Sequence, residues 1–71
     1  MTDESDRLLR AGRVFGRAIE LFDGDAEAAR SWLAAPQAVF GGVVPWDLAR
    51  TDLGAREVEF AIGRIEQGVF A

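Results

Sequence analysis

The stretch from Trp32 to Leu48 constrains the fold more than any other part of the chain. It reads Trp-Leu-Ala-Ala-Pro-Gln-Ala-Val-Phe-Gly-Gly-Val-Val-Pro-Trp-Asp-Leu, and it holds both tryptophans, both prolines and the only Gly-Gly pair of the 71 residues. Proline and paired glycine break a helix, while so many apolar side chains make a poor solvent loop. The stretch therefore reads as an ordered connector whose aromatic residues plug the core between helix-like segments on either side.

A chain of this length allows one domain, near the lower size limit for folding without a staple. Cysteine and histidine are both absent, so neither a disulfide nor a Cys/His metal cluster can supply one. The apolar fraction of 49% argues against disorder. The longest apolar run is too short to span a membrane, and the beginning, Met-Thr-Asp-Glu-Ser-Asp, is acidic where a secretory signal is basic. A soluble cytoplasmic protein is expected. Net charge is −4, and every positive charge is an arginine. An acidic chain has little electrostatic drive toward DNA, where affinity rests largely on neutralising phosphates.

Apolar spacing predicts an all-α fold, a small bundle of three to four helices around the connector. Residues 1–6 are expected to fray, with Ser5 or Asp6 as the cap of a first helix from Arg7 to Phe22. Its predicted core stripe is Leu8, Ala11, Phe15, Ala18, Ile19 and Phe22. Arg10, Arg13, Arg17 and Glu20 fall opposite, as a solvated basic face. Leu9, Gly12 and Gly16 lie between the two. Asp23-Gly24-Asp25 ends this helix, and Asp25 caps a second, Ala26 to Ala34, with Glu27 at its positive end. The acidic cluster is not an EF-hand loop, because the required glycine and glutamate positions hold Ala28 and Ala34. Pro45 opens a short helix to Arg50. Thr51 or Asp52 caps a last helix, about Leu53 to Gln67, with Ala55, Val58, Ala61, Ile62 and Ile65 inward and Gly68 as its C′ residue.

Two features do not serve that core. Phe60 falls roughly opposite the last helix's buried stripe, on the side of Leu53, Arg64 and Gln67. Val69 and Phe70 are apolar residues beyond the last cap. Catalysis finds little support: histidine, cysteine, tyrosine and lysine, the usual bases, thiol nucleophiles and Schiff-base formers, are all missing. Glu57 and Glu59 are two residues apart and point in different directions on a helix. A non-enzymatic recognition role is expected, with no cofactor and no metal.

Ala18, Leu21-Phe22, Asp25, Ala28, Trp32-Leu33, Pro36, Gly41-Gly42, Pro45, Asp47-Leu48, Thr51, Gly54, Val58, Ile65 and Gly68 keep an order and spacing that resemble the C-terminal domain of Xre/MbcA/ParS-type antitoxins. The resemblance covers about Phe15 to Ala71, through the linked motifs Trp-Leu-x-x-Pro, Gly-Gly-x-x-Pro-x-Asp-Leu, Thr-x-x-Gly-x-x-x-Val and Ile-x-x-Gly. It implies a bacterial antitoxin of a type II toxin-antitoxin system. Such an antitoxin binds and neutralises a RES-domain, NAD-degrading toxin, and its C-terminal end occludes the toxin active site. On this chain that end is Ile65, Gly68, Val69, Phe70 and Ala71. Phe60 and Arg64 join the predicted toxin-binding set from face geometry alone. Residues 1–71 read as one toxin-binding domain. Too few residues precede the match for the helix-turn-helix domain that many family members carry, so operon binding does not carry over. The expected partner is a RES-domain toxin, with a homodimer or a hetero-oligomer with toxin left open, and no nucleic acid or membrane. The alternative is a stand-alone dimerisation or adapter module using Leu9, Gly12, Gly16 or Phe60. Duplex DNA binding through Arg10, Arg13 and Arg17 is a third.

Overall fold

Side-chain caps set where two of the helices begin. In the computed structural model, which describes residues 3–68, Asp25 is extended and its carboxylate accepts the Ala28 N–H at 3.1 Å. The Thr51 hydroxyl likewise accepts the Gly54 N–H at 3.0 Å. Such caps satisfy backbone donors that have no partner within the helix. The elements are α1 (Asp3–Leu21), α2 (Ala26–Ala34), a 3₁₀ turn (Ala38–Phe40), α3 (Pro45–Leu48) and α4 (Asp52–Glu66). The all-α bundle is as predicted, and α2 starts and ends where its caps place it.

The start of α1 differs from expectation. Asp3 to Asp6 are helical rather than frayed, so Ser5 and Asp6 lie inside the helix instead of capping it. Asp3, Glu4 and Asp6 fill its first turn, where the positive end of the helix dipole favours carboxylates.

The core takes Val14 and Ala18 from α1, Ala29 and Leu33 from α2, Ala49 after α3, and Ala55, Val58 and Ile62 from α4. Leu33, Ile62, Val14 and Val58 are fully buried; burying side chains of this size is worth roughly 1.5–3 kcal/mol each. Among the described residues, no polar or charged side chain is buried. The α4 stripe matches the prediction, except that Ile65 is only half-buried.

Of the predicted α1 stripe, Ala18 is buried and Phe15, Ile19 and Phe22 pack against the core, but the centre of the stripe is rotated. Leu8 is 70% exposed and Ala11 half-buried, whereas Val14, absent from the predicted stripe, is fully buried. The rotation turns the arginine row inward. Arg10 keeps only 11% side-chain exposure, with its Nε donating to Ala49 O at 3.0 Å, one terminal nitrogen to Arg50 O at 2.8 Å and the other to Asp52 at 2.9 Å. Arg13 pairs with Glu59 at 2.8 Å, and Arg17 bridges Glu20 at 2.8 Å and Glu66 at 3.3 Å. The expected solvated basic face is therefore the polar seam between α1 and α4. Its partners ascend both helices together, so α1 and α4 run in the same sense.

The connector is ordered, as its composition demands. Trp32 meets Phe22 and Phe40 edge-on, with ring centroids 6.4 and 6.0 Å apart, the geometry that aromatic quadrupoles favour. Gln37 pairs with Val43 in an isolated antiparallel bridge, and Gly41 and Gly42 turn the chain between them at φ 66° and 89°. Side chains beyond glycine rarely adopt such angles. Trp46 packs against the core from α3, and Leu48 does the same. The stretch closes the bundle as a clasp.

Candidate functional site

Seating Ala55, Val58, Ala61 and Ile62 against the core fixes what α4 shows to the outside. Residues three, four or seven positions apart share a helix face. Leu53, Arg56, Phe60 and Arg64 accordingly form one outward strip. Phe60 is 72% exposed and Leu53 71%. The Arg64 guanidinium stands over the Phe60 ring, 6.0 Å from its centroid, the separation at which a cation is attracted by the ring face. Arg56 lies one turn before Phe60, as Arg64 lies one turn after. Neither arginine forms an ion pair among the described residues. Glu57 is the exposed acid on the same side.

A shallow groove runs beside the strip, lined by Arg17, Leu53, Arg56, Glu57, Glu59 and Phe60. A second open depression continues it past Gly63, Arg64 and Gln67 toward the end of α4. Its far wall is the ion-paired seam with α1, where Arg17 lies across Gly63, leaving 3.4 Å to the Cβ that an alanine would add. Among the described residues, no group of three or more Asp, Glu, His or Cys side chains converges to hold a metal. The groups on offer are an aromatic ring, a leucine and guanidinium donors. Those suit recognition of a protein surface, where aromatic and arginine anchors commonly dominate affinity.

The predicted site residues divide in three. Phe60 and Arg64 come together on the outward strip, as face geometry predicted. Ile65 turns away from them and is half-buried, while Gly68 is exposed at φ 72°, ending α4 as the predicted C′ residue. Its N–H donates to Ile65 O at 3.0 Å. Val69, Phe70 and Ala71 lie outside the described residues. Sequence reasoning missed Arg56; its spacing four residues before Phe60 was the available signal. Arg10, Arg13 and Arg17, the suggested DNA-contacting set, are instead engaged with carbonyls and carboxylates of the chain itself. Among the described residues no helix is long and apolar enough to cross a membrane.

Comparison with known proteins identifies a family. The family described as the antitoxin Xre/MbcA/ParS C-terminal toxin-binding domain matches residues 17–68. The chain is 42% identical over 67 residues to an antitoxin Xre of Photorhabdus laumondii subsp. laumondii, covering 94% of this chain and 45% of that protein. It is 42% identical over 69 residues to an antitoxin Xre of Yersinia enterocolitica, covering 97% and 47%. An antitoxin Xre of Pseudomonas putida is 36% identical over 66 residues, covering 93% and 41%. The chain thus spans less than half the length of the curated relatives it matches. No solved structure matches it. A match running from α1 to the end of α4, with relatives aligned along nearly the whole sequence, places this chain in the family of antitoxin Xre/MbcA/ParS C-terminal toxin-binding domains.

Proposed function

We propose that the chain is the toxin-binding part of a type II antitoxin. It acts in the bacterial cytoplasm, without catalysis of its own, by binding a RES-domain toxin and halting its degradation of NAD. α4 docks on the toxin through Phe60 and Arg64. The end of the chain, from Ile65 and Gly68 through Val69, Phe70 and Ala71, obstructs the active-site cleft. Family membership supports the class of function. The observation that carries it to these residues is Phe60, a large aromatic residue 72% exposed beside the last turn of the bundle. It contributes nothing to the core, and an aromatic anchor of this kind is what a small interface needs.

The test is NAD consumption by a purified RES-domain toxin, assayed with and without the chain. The full chain is expected to stop it. Deleting Val69–Ala71 is expected to weaken inhibition while leaving the far-ultraviolet circular dichroism unchanged. Full inhibition by the shortened chain refutes occlusion by the C-terminal end.

One observation favours an adapter role as the second reading. Leu9 is 63% exposed on α1, beside Gly12 and Gly16, where an added Cβ would meet nothing within 4 Å. A tight homodimer in sedimentation, indifferent to the toxin, would favour that reading.

A further inference from the structure

We infer that the surface α4 docks against is acidic: a protein surface carrying carboxylates around an apolar recess sized for one aromatic ring. This rests on the toxin-binding reading above and specifies the chemistry of the partner's face.

The inference comes from where the charges are used. The chain is acidic overall, at −4. Of its eight arginines, Arg10, Arg13, Arg17 and Arg30 are held in ion pairs at 2.6 to 3.3 Å. Arg7, Arg50, Arg56 and Arg64 are outside those pairs. Two of these four, Arg56 and Arg64, stand one helical turn on either side of Phe60, the most exposed large apolar side chain among the described residues. Arg64 is already aligned over the ring, so some of the ordering cost of binding is met before contact.

Against them stands one exposed acid, Glu57, because Glu59 faces the seam and is engaged by Arg13. The strip is therefore net positive on a negative molecule. An acidic partner is repelled by the rest of the chain and attracted here, which selects both the docking face and its orientation. A basic partner would be drawn to the acidic remainder and held off this strip. The complementary site is an apolar recess for the Phe60 ring, with one carboxylate beside it for the Arg64 guanidinium that stands over the ring and another on the Arg56 side.

The experiment measures binding of the full chain to a purified RES-domain toxin as a function of salt and of charge on the strip. Arg56→Gln with Arg64→Gln is expected to weaken binding about tenfold, mostly through a slower association rate. Glu57→Gln is expected to tighten it about threefold, since it removes the one like charge facing the partner. Raising salt from about 0.05 M to about 0.5 M should weaken the wild type and have less effect on the double variant. All three sites are exposed, and circular dichroism verifies that each variant folds.

The opposing signs separate this proposal from a structural role, which would move both variants in one direction. Tight binding that ignores salt and all three substitutions overturns the acidic-surface inference and leaves the antitoxin reading standing. Weaker binding by Glu57→Gln also overturns it, pointing to a basic partner face. A wild-type chain that fails to bind the toxin overturns the antitoxin reading and this inference together.

Discussion

Replacing Arg10 with methionine isolates what holds the junction between α3 and α4. Methionine keeps most of the aliphatic stem and removes all three guanidinium bonds, to Ala49 O, Arg50 O and Asp52. These are unequal in value. Asp52 is 83% exposed, so its ion pair is heavily screened and contributes at most about 0.5 kcal/mol. Arg50 O lies at an exposed residue, where water substitutes at a cost of about 0.5 kcal/mol. Ala49 is only 8% exposed, and its carbonyl loses a charge-assisted donor where water has poor access, costing about 1–2 kcal/mol. Arg10→Met should therefore cost about 2–3 kcal/mol in total. That is a large share of the roughly 4–10 kcal/mol expected for a domain of this size. Urea denaturation followed by circular dichroism measures it, with Asp52→Asn as the companion. The companion removes the ion pair and a first-turn acid but leaves both carbonyl bonds, and should cost under about 1 kcal/mol. Equal losses in the two variants, or a loss under about 1 kcal/mol for Arg10→Met, would refute the carbonyl-anchoring account.

The glycines of the helices make opposite predictions. A Cβ at Gly54 would collide with the Leu48 carbonyl, a backbone atom that cannot swing away, so Gly54→Ala should cost about 3 kcal/mol or more in thermal or urea unfolding. Gly12 meets open space inside α1, and Gly12→Ala should stabilise by about 0.5–1 kcal/mol in the same assay. Leu33→Ala, at a fully buried core position, should cost about 2–5 kcal/mol, whereas Phe60→Ala should change stability by no more than about 0.5 kcal/mol while weakening inhibition of the toxin.

What could be read from the sequence was what local chemistry decides. Asp25 and Thr51 each cap a helix by reaching three residues along their own chain, and Gly68 ends one through its own backbone angle. The α4 stripe and the outward position of Phe60 follow from periodicity within one segment. The α1 phase did not, because its arginines find their partners 39 to 49 residues away. A row of arginines looks like a solvent face until Asp52, Glu59 and Glu66 are known to lie beside it. Leu8, near the start of the helix, looks like core until Val14 is seen to occupy the centre. Arg56 stayed inconspicuous for a related reason: its significance lies in having no ion-pair partner within the described residues, which only the fold reveals.

The shared direction of α1 and α4 has a practical consequence for how cargo can be attached. Asp3 and Asp52, the first residues of the two helices, line one depression, while Glu66 and Gly68 lie at the far end of α4. A fluorescent label, purification tag or fused domain joined ahead of Asp3 is therefore attached beside the first turn of α4 rather than its last. Such a fusion should leave Phe60 and Arg64 accessible, whereas the same cargo joined after Ala71 would crowd the end that is proposed to enter the toxin.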